Sequence, residues 1–291
     1  MREPWLKEMR ECVGWDASWS QVRRWMTLEG RGEHVDLLCL TAGAAYMQRE
    51  GPKRQLEVGD FVIGGLSGEA LTIIPNGANG CRLLHIRLAV ELLPGLPQGG
   101  KLLALLYGAC GSDTIEASSA CTREMRRSAE ALADWCGAAD HAGASGRILL
   151  QYSKLVELLG YLLEGLGEDT AHPAQRNTVY CSARESLFEA VAFIVEHITT
   201  DLDMTEIIRT SGLGKTPFYE EFRMLTGMSP RVFIRRLRIQ MARRLLCTSN
   251  LSVTSIAYEC GYRSLNYFHK QFKQQYEVTP REYRKRDRTT G

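Results

Sequence analysis

Residues 252–276 read SVTSIAYECGYRSLNYFHKQFKQQY, and residues 203–226 read DMTEIIRTSGLGKTPFYEEFRMLT. The two stretches share one plan. A polar residue opens a short apolar run, a glycine follows, and a second run carries two phenylalanines four residues apart. In the later stretch Ser252 is placed to cap a helix, Gly261 to allow a tight turn, and Phe268 and Phe272 to face a core together. In the earlier one Asp203 and Glu206 have the spacing of a capping box, Ser211-Gly212-Leu213 supplies the turn, and Phe218 and Phe222 pair. Each stretch is expected to be helix, turn, helix. The copies do not align without a gap: the phenylalanines are 50 residues apart, while Gly212 and Gly261 are 49 apart. The later copy therefore has one extra residue between its turn and its second helix.

Residues 230–247 lie between the copies. Ile234, Leu237, Met241 and Leu245, with Leu246 beside them, give this stretch an apolar face. Arg231, Arg235, Arg236, Arg238, Arg243 and Arg244 load the rest, with no acid among them. A continuous helix here spans roughly 27 Å, enough to hold two reading helices about one DNA turn, roughly 34 Å, apart. The arginines read either as phosphate ligands or as a solvated helix face. Pro217, Pro230 and Pro280 suit helix starts or turns.

Charge is distributed unevenly. The chain of 291 residues has 36 Lys+Arg and 34 Asp+Glu, a net of +2. From residue 209 onward the tally is 17 basic against 6 acidic, and residues 1–181 carry 18 against 22. A basic end on a mildly acidic body is the footprint of a nucleic-acid-binding module joined to something else.

Residues 183–288 resemble the AraC/XylS DNA-binding domain. The residues that carry the likeness are Thr226-Gly227-Met228-Ser229-Pro230, Leu237-Arg238-Ile239, Ala242, Leu245-Leu246, Ile256-Ala257, Gly261-Tyr262, Tyr267-Phe268, Phe272-Lys273 and Thr279-Pro280-Arg281-Glu282-Tyr283-Arg284. The resemblance implies seven helices, with two recognition helices entering successive major grooves of double-stranded DNA. It also implies activation by contact with RNA polymerase. Carried over by position, the first recognition helix presents Lys215, Thr216, Tyr219, Glu220 and Arg223. The second presents Arg263, Ser264, Asn266, His269 and Lys270. Asn266 suits adenine, and Lys270 or Arg263 suits guanine. Lys273 and Arg238 are expected on the DNA backbone. The chain departs from the family pattern at three points. Glu220 stands where a basic residue is frequent, with Glu221 after it. Ile208 fills a slot for a small residue, which Ala257 keeps in the second copy. Glu277 replaces a frequent glycine. The second copy is therefore expected to dominate affinity.

The N-terminal half reads as β-rich, with short runs at 34–41, 44–48, 60–63, 71–74 and 81–90 separated by Gly, Pro and Asn turns. That spacing suggests a sandwich or small barrel over about 30–90. With Leu56-Glu57-Val58-Gly59-Asp60-Phe61 it resembles the cupin-like sensor domain. Helical periodicity follows at 101–108, 119–136 and 147–166. In the last of these, Ile148, Tyr152, Leu155, Leu159, Leu162 and Leu166 recur at steps of 4, 3, 4, 3 and 4. This is either the seam of a homodimer or an internal core face. Polar residues 167–182 form the expected linker between a sensor and dimerisation domain, 1–166, and a DNA-binding domain, 183–291.

The fold class expected is thus α+β: a cupin-like barrel or sandwich with appended helices, then an all-α domain. No signal peptide and no membrane span is evident, and nine scattered cysteines without a C-x-x-C pair fit a reduced, cytoplasmic protein. The function expected is transcription regulation under an effector or a partner protein, with no cofactor, no metal and no catalytic residues. The signal remains open between three sources: an effector near Trp5, Trp15, Trp19, Trp25 or Tyr46; an anti-activator protein; and thiol or soft-metal chemistry at Cys39, Cys81, Cys110, Cys121 and Cys136. A metal-dependent cupin enzyme would need ligands from His34 and His85, which lie far apart in sequence.

Overall fold

The computed structural model describes residues 15–30, 32–66, 70–110, 114–115, 120–137, 145–169 and 178–290. The fold is α+β. The chain forms two compact units. One is built from Trp15–Leu88 with Leu105–Thr178, and the other includes Ala89–Ala104 and Val179–Gly291.

The first unit is a two-sheet sandwich. One sheet has the order β1 (Trp15–Val22), β8 (Cys81–Ala89), β3 (His34–Ala42), β6 (Phe61–Gly64), β9 (Thr114–Ile115). The other has the order β2 (Met26–Leu28), β7 (Leu71–Pro75), β4 (Ala45–Gln48), β5 (Arg54–Leu56). Leu38, Leu40, Val62 and Leu83 from one sheet meet Met47, Leu56, Leu71 and Ile73 from the other in one buried cluster. This is the alternation of a strand pair packed face to face. The five runs read from sequence appear as β3, β4, β6, β7 and β8. Strand β1 was not legible because Asp16, Ser18, Ser20 and Gln21 dilute its apolar content. Pairing with β8, from Trp15 opposite Leu88 to Val22 opposite Cys81, holds it in place.

Three helices follow: α1 (Gly99–Cys110), α2 (Ala120–Gly137) and α3 (Ser145–Asp169). Helices α2 and α3 pack together. Met125, Ala129 and Leu132 of α2 are fully buried, as are Leu158 and Leu162 of α3. This corrects the dimer-seam reading. Leu155, Leu159, Leu162 and Leu166 are buried within a single chain. Tyr152, one turn before Leu155 in the same repeat, is 42% exposed. Ile148 lies outside the residues whose side chains are described. A 3.5-residue repeat alone does not say whether the partner helix is α2 or a second copy.

The second unit contains α4 (Thr178–Glu196), α5 (Met204–Thr210), α6 (Lys215–Thr226), α7 (Pro230–Thr248), α8 (Val253–Glu259), α9 (Leu265–Tyr276) and α10 (Pro280–Thr290). Helix α4 begins inside the stretch expected to be linker. Asp203 accepts from the Thr205 amide at 3.0 Å, and Ser252 from the Ser255 amide at 2.9 Å, so both caps form where expected. Thr279 and Glu282 close a reciprocal capping box at α10. The Thr279 amide donates to Glu282 at 2.8 Å, and the Glu282 amide donates to the Thr279 hydroxyl at 3.3 Å. The Thr279 amide and hydroxyl, both donating to that carboxylate at 2.8 Å, hold Glu282 below its ordinary pKa.

Helices α6 and α9 end alike, with Gly227 at φ +74° and Glu277 at φ +62°. The left-handed region costs a residue with a side chain about 1–2 kcal/mol, so Glu277 pays where Gly227 does not. Glu277→Gly is expected to stabilise the domain by roughly 0.5–1 kcal/mol, because the relief exceeds the entropy added to the unfolded chain. Urea denaturation followed by circular dichroism checks this, and a lowered midpoint contradicts it.

Candidate nucleic-acid interface

Two helix pairs, α5–α6 and α8–α9, form the candidate site. Four residues, 211–214, join the first pair, and five, 260–264, join the second. This is the one-residue insertion seen in sequence. Gly212 and Gly261 both sit at positive φ, +63° and +77°. Phe218 and Phe222 are fully buried, with ring centroids 5.5 Å apart, and Phe222 meets Phe233 of α7 edge-on, also at 5.5 Å. Phe268 and Phe272 repeat the arrangement at 5.8 Å, flanked by Tyr262, Tyr276 and Tyr283. The phenylalanines turn one face of each recognition helix inward and leave the opposite face to solvent.

On α6 the exposed side chains are Lys215, Thr216, Pro217, Glu220, Arg223 and Met224, the last 78% exposed; Tyr219 is half-buried against Phe218. Lys215 and Arg223 are offset in part by Glu220 on this face, and the half-buried Glu221 brings the whole helix to neutrality. On α9 Asn266, Tyr267, Lys270 and Lys273 are exposed, and His269 is half-buried against Phe268. No acid lies between Leu265 and Tyr276. Ser264 caps α9, accepting from the Tyr267 amide at 3.3 Å, so its oxygen is committed to the helix end. Arg263 is exposed and ion-paired with Asp201 at 2.5 Å, a partner 62 residues away that nothing in the local sequence signals. Neither Tyr267 nor Met224 was among the DNA contacts expected from sequence. Their exposure is the structural sign that the apolar pattern alone did not give.

Arg238 is the clearest correction. It was expected on the DNA backbone, yet its guanidinium is spent inside the domain. Nε donates to the Ile198 carbonyl at 2.8 Å, Nη1 to Gly261 at 2.9 Å and Nη2 to Thr200 at 2.6 Å. Burial lowers its pKa from the ordinary arginine value. A Cβ on Gly261 would sit 2.9 Å from both the Arg238 guanidinium carbon and the Thr199 carbonyl oxygen. The glycine is therefore needed for room as well as for φ. Arg243 is likewise engaged, with Glu91 at 2.7 Å. Two of the six arginines on α7 thus hold the domain together rather than face outward.

With this geometry in view, residues 207–286 match the family described as a helix-turn-helix domain. The xylose operon regulatory protein of Escherichia coli (strain K12) is 30% identical over 111 residues, 38% of this chain and 28% of that protein. The HTH-type transcriptional activator RhaS of Escherichia coli (strain SE11) is 29% identical over 110 residues, 38% of this chain and 39% of that protein. The C-terminal domain is similar to the DNA-binding domains of AraC/XylS-type regulators. The chain spans about a third of the length of these curated relatives, which are named as regulators and not as enzymes. A crystal structure of the DNA-binding domain of AdpA in complex with a target DNA is 33% identical, covering 36% of this chain and 94% of that one, with a TM-score of 0.35.

Outside the helix-turn-helix domain, His85 is bonded to Asp36 at 2.7 Å, and Arg87 reaches the same carboxylate oxygen at 2.9 Å. Burial raises the Asp36 pKa, but these bonds outweigh it and hold the carboxyl below its ordinary value. Cys39, Cys81 and Cys136 are buried, and burial pushes the Cys39 thiol up to about 12. A thiol in that state is unreactive at neutral pH. The side chains of Cys110 and Cys121 lie outside those described, as does Trp5. Among the described residues no helix is long and apolar enough to cross a membrane.

Arg238→Gln is expected to destabilise the domain by roughly 2–4 kcal/mol, since it strips charged donors from three carbonyls. The salt dependence of DNA binding should stay unchanged. A slope shallower by about 0.9 would put Arg238 back on a phosphate.

Proposed function

We propose that this chain is a sequence-specific DNA-binding transcription regulator acting in the cytoplasm. The observation that carries the reading is the outward face of α9. It presents Asn266, Lys270 and Lys273 with no acid among them, on a helix whose rotation is fixed by Phe268 and Phe272. Amide and ammonium groups spaced along one helix face suit base edges and phosphates of a major groove. Helix α6 joins as the second reader, with Lys215, Thr216, Tyr219 and Arg223, and with Glu220 placed to accept from cytosine N4 rather than to meet phosphate. Arg263 exchanges Asp201 for DNA at small cost, because an exposed ion pair is worth only about 0–1 kcal/mol.

The regulator is an activator, a role that the name of the relative RhaS supports, and it acts by touching RNA polymerase. Its first unit receives the signal. The sandwich interior is filled by side chains of both sheets, which favours a protein partner or a surface-bound effector over a ligand held between the sheets. The chain works as a homodimer through residues that α3 leaves exposed. Tyr152 and Val156, one turn apart, remain 42% and 41% exposed there.

The test uses a duplex of about three helical turns, selected from random-sequence DNA by the unaltered chain. Lys270→Ala should weaken binding by about 1–3 kcal/mol, and Arg223→Ala by less. The reverse ranking would move the principal reader to α6, and undiminished binding by both variants would remove base reading from these helices.

A further inference from the structure

We propose that Glu91 is a positioning residue for DNA binding, a charge supplied from the N-terminal part of the sequence that fixes the helix between the two readers. The inference rests on the DNA-binding reading above. Residues Ala89–Ala104 belong to the same compact unit as the C-terminal helices, although in sequence they interrupt the first unit. A short 3-10 turn, Val90–Gly95, carries Glu91 two residues after the end of β8. Its carboxylate meets Nη2 of Arg243 on α7 at 2.7 Å, with side-chain exposures of 2% and 27%. The same segment packs tightly a second time. A Cβ on Gly100, at the start of α1, would lie 2.7 Å from the Ala192 carbonyl oxygen, so α1 meets α4 backbone to backbone.

The pair has little else to lean on. The second Glu91 oxygen and the Arg243 Nε are buried without a hydrogen-bond partner. Withdrawing the turn would leave a half-buried guanidinium uncompensated, the situation that makes broken buried pairs costly. Arg243 also sits where a shift would matter. Its neighbours Ala242 and Leu246 lie in the cluster with Phe268 and Phe272 that sets the rotation of α9. Arg284 of α10 ties to the same stretch, donating to the Leu246 carbonyl at 3.2 Å. A displacement of the turn therefore reaches α7 through one ion pair. Glu91 acts through Arg243, not on DNA.

The test compares full-length variants on the selected duplex across a salt series. Glu91→Gln should weaken binding roughly tenfold with the salt slope unchanged, because no phosphate contact is lost. Arg243→Gln should do the same, and the double variant should be no worse than either single one. Lys273→Ala, in contrast, should lower both affinity and slope. Binding by Glu91→Gln within twofold of the unaltered chain overturns the proposal. So does a shallower slope for Arg243→Gln, or effects that multiply in the double variant. A measurement on the unaltered chain guards against variants that do not fold: backbone amides of residues 89–104 should exchange more slowly when the duplex is bound. Unchanged exchange there contradicts the coupling. Absence of salt-dependent binding by the unaltered chain would instead refute the DNA-binding reading itself.

Discussion

Phe218 and Phe222 on α6, and Phe268 and Phe272 on α9, are fully buried, and each pair fixes the rotation of its helix. Residues four apart lie on one face of a helix, so burying both leaves no freedom about the axis. Burying a phenylalanine is worth about 1.5–3 kcal/mol, far more than any single exposed contact. Everything offered to solvent follows from this. Once the phenylalanines point inward, Thr216, Glu220 and Arg223 point outward on one helix, and Asn266, Lys270 and Lys273 on the other. Helix α7 supplies the common wall, through Phe233 for the first pair and Ile239, Ala242 and Leu246 for the second.

The positive charge of the C-terminal part divides into two kinds. Lys270, Lys273 and Arg223 are exposed. Arg238 and Arg243 are committed to protein oxygens, three carbonyls in one case and a buried carboxylate in the other. A guanidinium has five donors in a fixed fork, and Arg238 uses three of its nitrogens to join the end of α4, the body of α7 and the turn before α9. Net charge is therefore a poor count of phosphate ligands for this domain.

Local features were legible in the sequence, and long-range ones were not. Caps at Asp203 and Ser252, turn glycines at 212 and 261, and the inserted residue of the second pair all depend on neighbours within a few positions. Each appears where the pattern placed it. The fate of Arg238 depends on carbonyls 38 and 40 residues earlier, and that of Arg243 on a carboxylate 152 residues earlier. No local pattern reports these. The periodicity on α3 includes the buried Leu155, Leu159, Leu162 and Leu166 but did not name their partner, because α2 and a second copy satisfy the same repeat. Strand β1 escaped because a ladder partner, not its own composition, makes it a strand.

Two readers held on one scaffold should leave a particular mark on DNA. Hydroxyl-radical footprinting of the selected duplex by the full-length chain reads it directly. Two protected patches on one face of the duplex, about 10 base pairs apart, are the predicted result, with the stronger protection under α9. A single patch of about half that extent would mean that only one helix pair engages DNA, and would contradict the account.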